Sequence, residues 1–201
     1  MRESGREISF LICLQPLSRI ILGYSSQKYY FCQHKKENEM TIRKSRISDI
    51  PRLHEIFAIA RNFMVATGNP HQWVEGYPSE ELLKKDIESG DSYVCISDDR
   101  IVATFVLRGG IDPTYNEIYD GAWLNDKPYA TIHRIASSGE VKGVFSLALR
   151  FALQRYDSIR IDTHADNKVM QSAIAKAGFS YCGIIHCWNG SERLAYQFNK
   201  G

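Results

Sequence analysis

The chain has 201 residues, of which 44% are hydrophobic and 24% charged, enough apolar content for one full core without disulfide staples. Its formal charge is +2, and because residues 1–39 carry six basic and four acidic side chains the remainder is neutral, which argues against a broad basic face for nucleic acid. Five cysteines, Cys13, Cys32, Cys95, Cys182 and Cys187, form no framework spacing, and their odd number fits a reducing cytoplasm.

Residues 8–24 are apolar but interrupted by Gln15, Pro16 and Arg19, so no membrane span is expected there, and no signal-peptide cleavage pattern stands out. Residues 1–39 read as an amino-terminal extension, disordered or the product of a mispredicted start. Lys36-Glu37 can be encoded by a ribosome-binding purine run just upstream of Met40, and the domain reads as residues 40–199.

A short strand is expected over 41–47, followed by a helix over 49–64 whose apolar residues Ile50, Leu53, Ile56, Phe57, Ala60, Phe63 and Met64 recur at helical spacing. Ser48 is the expected cap, and Pro51 falls in the first turn, where its missing N–H costs little. A loop over 68–78 leads to a second helix that starts at Ser79 and runs to about Ser89. Residues 92–97 and 101–108 flank Asp98-Asp99-Arg100 as a hairpin, and a long connection over 111–128 precedes a strand over 131–136. Helix 143–155, strand 158–163, helix 167–177 and strands 179–188 and 193–198 complete the order, with Asn189-Gly190 as the last turn. The fold class is α/β of the α+β kind: a single domain with a mixed, mostly antiparallel sheet and helices on both faces.

Two segments carry chemistry. The stretch from Thr131 to Leu153 reads as strand, small-residue loop and a helix opening at Gly143, and such a helix start presents unpaired N–H groups suited to phosphate. The stretch from Arg160 to His186 reads as strand, a helix entered near Asn167, a Gly-Phe exit and a further strand. In this order the two segments resemble the GNAT superfamily of acyl-CoA-dependent N-acyltransferases, over roughly residues 40–199. The family's loop pattern is Gln or Arg, two residues, Gly, one residue, then Gly or Ala. The matching positions hold Glu140, Gly143 and Phe145, so the central glycine fits and its two flanking positions depart.

The resemblance implies a splayed strand pair with the pantetheine of acetyl-CoA lying in the gap. It implies Ile135, Ala136 and Ser137 against the pantetheine, with a backbone N–H of Ile135 or Ala136 polarising the thioester carbonyl. Ser138, Val141, Lys142, Gly143, Val144 and Phe145 would surround the pyrophosphate, Asn167 would bond the pantetheine or phosphate side, and Met170 and Lys176 would lie near the nucleotide end. Many members place a tyrosine seven residues after the asparagine as general acid; here that position is Ile174.

The implied reaction is attack of a primary amine, on a small molecule or a peptide, on the thioester of acetyl-CoA in a ternary complex. An amine of pKa about 10.4 is neutral in about one molecule in 10³ at pH 7, so a general base is useful. Strand alternation puts Tyr129, Thr131, His133 and Ile135 on one face. His133 is the first candidate base, with a hydrogen-bonded core histidine as the competing reading. Glu117 is the second candidate, against a solvated surface charge. Tyr129 stands where the histone-acetylating branch carries a glutamate base. No metal is expected, since Cys182 and His186 face one way on a strand and Cys187 the other, and Asp162 with His164 lacks a third ligand. No nucleic-acid or membrane partner is expected, a homodimer is compatible with the sequence, and the expected location is cytoplasmic. The alternative reading is a catalytically degenerate acyl-CoA-binding or regulatory module, and a third is a small-molecule binding protein unrelated to coenzyme A.

Overall fold

Alternating and continuous apolar runs become seven strands, and the longer 3.6-period stretches become four helices, in a computed structural model that describes residues 40–201. The readings made for residues 1–39 lie outside the described residues. The strands are β1 (Thr41–Lys44), β2 (Ser92–Ser97), β3 (Arg100–Gly109), β4 (Ala130–Ser137), β5 (Ser158–Thr163), β6 (Ser180–His186) and β7 (Glu192–Asn199); the helices are α1 (Ile50–Ala66), α2 (Glu80–Glu88), α3 (Val144–Leu153) and α4 (Lys168–Lys176). They form one sheet in the order β1-β2-β3-β4-β5-β7-β6, in which β4–β5 is the parallel pair and the other pairs are antiparallel.

Local chemistry explains most element ends. Ser79 caps α2 by accepting from Leu82 N at 3.3 Å, and Asn167 caps α4 by accepting from Met170 N at 3.0 Å. Asp98 and Asp99, with φ of 48° and 58°, occupy the left-handed region that a two-residue hairpin turn requires. The expected Ser48 cap is replaced by a single 3₁₀ turn, Ile47–Asp49, in which the Asp49 carboxylate accepts from Arg46 N at 2.8 Å and from Arg43 Nη1 at 2.7 Å. β1 stops at Lys44, short of the expected 47, because its partner β2 begins at Ser92 and leaves only the bond from Ser45 N to Ser92 O. β6 ends at His186 rather than 188, since Cys187 N already bonds Ser191 O across the Asn189-Gly190 turn.

Two cores flank the sheet. Ile50, Leu53, Ile56, Phe57 and Ala60 of α1 pack with Leu83 of α2, Val94 and Ala136 on one face. Val144, Ala148, Leu149 and Ala152 of α3 and Ile174 of α4 pack with Phe105, Ala130, Ile132, Ile159 and Ile161 on the other. Each large apolar side chain withdrawn this way stabilises by about 1.5–3 kcal/mol. Buried on both faces from Val102 to Leu107, β3 is the hydrophobic spine of the sheet.

The long connection over 111–128 has its own scaffold. Trp123 stacks on Tyr115 at 5.4 Å and donates from Nε1 to Tyr115 O at 3.0 Å, while the buried Arg160 guanidinium lies over the rings of Trp123 and Tyr129 at 4.0 and 3.9 Å. Tyr119 exchanges two backbone bonds of 2.8 Å with Ile184, covering the outer edge of β6. A Cβ on Gly121 would collide with the Cys182 carbonyl, so glycine is what lets this loop lie on the strand.

Candidate active site

The parallel pair β4–β5 has only two partnered positions, Ala130 with Ile159 and Thr131 with Arg160. Beyond them the strands part, and a cleft of about 620 Å³ opens between Ile132–Ser137 on one side and Ile161, Asp162, Asn167 and Met170 on the other. A bulge sharpens the separation. Thr104 pairs with Ala136 while Val106 pairs with His133, so β4 has one residue more than β3 over this stretch, and Arg134 sits in the left-handed region with φ of 48°. The bulge overturns the expected alternation, because Ala130, Ile132 and Ile135 all face the core under α3 and α4, whereas Ala136 faces the core under α1. His133 and Ile135 therefore do not share a face.

The register also decides which backbone groups are free. Ser138 N donates to Val102 O at 2.8 Å, so by antiparallel alternation Ala136 also turns its N–H to β3, while Ile135 and Ser137 turn theirs into the gap. Of the two polarising amides offered by the sequence, Ile135 has the suitable direction and Ala136 does not.

At one end the cleft meets the start of α3. Gly143, with φ of 80°, turns the chain into the helix, and Leu147 N bonding Gly143 O leaves the preceding first-turn amides without helical partners. Glu140 is turned away: its carboxylate is held by Arg100 Nη2 at 2.7 Å and Arg52 Nη2 at 3.1 Å, which pins the loop to β3 and α1. Val144 and Phe145 line the cleft, and Phe145 leans on Phe179 at 6.1 Å rather than filling the space. Val141 packs on the core beneath α3, whereas Ser138, Lys142 and Lys176 do not line the cleft; Lys142 and Lys176 are exposed. Asn167 and Met170 line it. Asn167 Nδ2 donates to Gln72 Oε1 at 2.9 Å, and Asn69 Nδ2 donates to the same oxygen at 2.9 Å, so Gln72 ties the loop over 68–78 to the head of α4.

At the other end lies a polar floor. His133 Nε2 is 2.8 Å from Asp112 Oδ2, and Asp112, which begins the long connection, is buried. Burial opposes ionisation of Asp112, but the bond and charge of His133, with two bonds from Thr114, outweigh it and hold the carboxyl well below the usual range. Tyr115 OH donates to Asp162 Oδ1 at 2.6 Å; burial first, then the Asp162 charge, push this phenol well above its ordinary value and keep it a donor. Arg193 Nε stands 3.8 Å from Asp162 Oδ2.

His133 is thus the candidate base that reaches the cleft. Glu117 is exposed, accepts from Tyr119 OH at 2.6 Å and lies outside the cleft. Tyr129 is buried against Tyr115 and Arg160, and its hydroxyl accepts from Asp112 N at 3.2 Å. Its place is under the loop, not in the cleft. Ile174 is fully buried in the core and offers no proton. Asp112 carries no role in the sequence expectations, and Gln72 falls only within the loop over 68–78. Asp112 followed by Pro113 at a turn start is the one local signal, a capping aspartate, that marks it as structured.

Comparison with solved structures finds a GNAT-family acetyltransferase from Streptococcus agalactiae that is 32% identical over 81% of this chain and 96% of its own, with a TM-score of 0.73. A putative acetyltransferase from Staphylococcus aureus is 26% identical over 79% of this chain and 97% of its own, with a TM-score of 0.58. Arabidopsis thaliana Naa50, solved with the bisubstrate analogue CoA-Ac-MVNAL, is 13% identical and shares the fold at a TM-score of 0.52 over 80% of this chain and 98% of its own. No family model and no curated protein matches the sequence. The parted strand pair, the bulge beside it and the 32% identity to the streptococcal acetyltransferase place this chain in the GNAT family.

Proposed function

We propose that this protein transfers the acetyl group of acetyl-CoA to a primary amine by direct attack within a ternary complex. The observation that carries the reading is the parting of β4 from β5 after Thr131 and Arg160, which leaves the Ile135 and Ser137 amides facing a cleft that runs to the start of α3. A pantetheine arm laid in this gap takes the place of a missing strand, and the first-turn amides of α3 suit its pyrophosphate. The complex of Naa50 with a CoA-linked peptide analogue supports the same use of the shared fold.

In the reaction the amine nitrogen bonds to the thioester carbonyl carbon, the C–S bond breaks with its electron pair going to sulfur, and the products are an acetamide and coenzyme A. His133 takes the proton released by the amine, and its 2.8 Å contact with ionised Asp112 stabilises the imidazolium so formed. The Ile135 N–H stabilises the charge that develops on the carbonyl oxygen. With Ile174 in the position of the usual acid, the thiolate leaves unassisted, which a thiol pKa of about 8.5 permits. A cytoplasmic location belongs to this reading, supported by the cysteine content. Among the described residues no helix is long and apolar enough to cross a membrane.

The test is release of free coenzyme A thiol when the full chain is given acetyl-CoA and an amine. His133→Ala is expected to lower kcat by about 10²-fold or more with acetyl-CoA affinity retained. Thermal stabilisation by acetyl-CoA without thiol release over a broad amine panel would instead favour the binding-only module.

A further inference from the structure

The mouth of the cleft gathers several exposed apolar side chains. Phe63 at the end of α1, Val74 in the loop over 68–78 and Trp188 in the β6–β7 turn are 53%, 66% and 81% exposed, come from three separate elements, and all line the same cleft. Exposed large apolar side chains are ordinary when scattered; gathered around one opening they mark a surface that meets an apolar partner. Behind them Trp73, packed on Phe57 at 5.6 Å and Tyr77 at 6.0 Å, continues the aromatic wall inward. The opening therefore leads from an apolar mouth to the His133–Asp112 floor.

The charges lining the cleft disfavour other acceptor bodies. The two carboxylates lining the cleft are committed, Asp112 to His133 and Asp162 to Tyr115 OH, and three arginines, Arg108, Arg134 and Arg193, line it with them. Among the described residues that line the cleft no other carboxylate is left to hold the second ammonium of a polyamine or a basic peptide. The arginines are largely engaged: Arg108 and Arg134 both reach the buried Asp86 carboxylate, at 3.1 and 2.7 Å, while the Nε of Arg134 has no partner but is enclosed out of solvent. Arg193 is spent on Ser191 Oγ, the Glu192 carbonyl and the Gln72 carbonyl. An acceptor carboxylate finds no wholly unpaired guanidinium among these three.

Resting on the acetyl-transfer reading above, we infer that the acceptor is a small monoamine whose body is apolar or aromatic, with Trp188 as a residue that sets this preference. The amine would enter as far as His133 while the apolar body stays between Phe63, Val74 and Trp188.

The test compares kcat/KM of the full chain for 2-phenylethylamine, methylamine, spermidine, L-phenylalanine and a short peptide beginning with phenylalanine, by thiol release. 2-Phenylethylamine is expected to exceed each of the others by about tenfold or more. Trp188→Ala is expected to reduce the ratio of 2-phenylethylamine to methylamine by about tenfold, whereas Tyr181→Ala, which removes an exposed aromatic on β6 outside the cleft, leaves that ratio unchanged. Preference for spermidine, for the free amino acid or for the peptide overturns the inference, as does an unchanged ratio in Trp188→Ala. Acetyl-CoA binding is measured alongside by thermal shift. Turnover with the wrong amine discards only the acceptor class, while absence of both stabilisation and turnover discards the acetyl-transfer reading with it.

Discussion

Asp112 and His133 show what a single pair of side chains contributes beyond the reach of a linear reading. His133 is legible in the sequence as a candidate base because imidazole titrates near neutral pH, with a hydrogen-bonded core histidine as the competing reading. Asp112 lies 21 residues earlier in the chain, and only the return of the loop over β4 brings it to 2.8 Å. Its carboxyl is held below the usual range by His133 and Thr114 against the effect of burial. Because the folded value lies below the unfolded value of about 3.9, the ionised carboxylate stabilises the fold at neutral pH, and that stability is lost as pH falls from about 4 toward the folded value. Asp112→Asn is expected to be less stable than the parent by about 2 kcal/mol at pH 7, with the gap narrowing at pH 3, as read from urea midpoints at the two pH values. A gap of equal size at both would mean that the charge of Asp112 contributes nothing.

Among the elements, those with a local chemical cause were legible and the bulge was not. Ser79 and Asn167 announce their helices because a cap is a bond between residues three apart, and β5 was read at its observed bounds, 158–163, from its alternation. The bulge in β4 has no such sign, since the position that adopts φ of 48° is an arginine and not glycine or asparagine. Its cause is tertiary: Arg134 reaches Asp86 of α2 at 2.7 Å, an ion pair in which Asp86 is 1% exposed, and this offsets the roughly 1–2 kcal/mol that a left-handed conformation costs a residue with a Cβ. Arg134→Ala keeps the Cβ and loses the pair, whereas Arg134→Gly loses both. The glycine variant is accordingly expected to be more stable than the alanine variant by about 1 kcal/mol in urea unfolding. Equal stability of the two would show that position 134 is not left-handed in solution, and the direction assigned to the Ile135 amide would fall with it.

At the scale of the whole molecule, the sheet is two half-sheets, β1-β2-β3-β4 and β5-β7-β6, hydrogen-bonded across two partnered positions and held further by the cores on either side. A gap between parallel strands leaves no periodic trace in a sequence, because residues on either side, such as Ile132 and Ile161, are as apolar as in a closed sheet, and only the resemblance set Ile135 beside a pantetheine. The splay was therefore implied by resemblance, not by spacing, and the paired register now gives it a residue-by-residue form. In the free protein the amides of Ile135 and Ser137 face the gap and are expected to exchange with deuterium quickly, while Ala136 between them, paired with Thr104, exchanges slowly. Acetyl-CoA at about 100 times its Kd is expected to slow the first two by about a hundredfold, as a strand-like occupant takes up their hydrogen bonds, and to leave Ala136 little changed. This alternating fast, slow, fast pattern distinguishes occupancy of the gap from general tightening of the fold, which would slow all three together. Uniform slow exchange of residues 135–137 in the free protein would mean that β4 and β5 are closed against each other and that the acyl donor has no place beside β4.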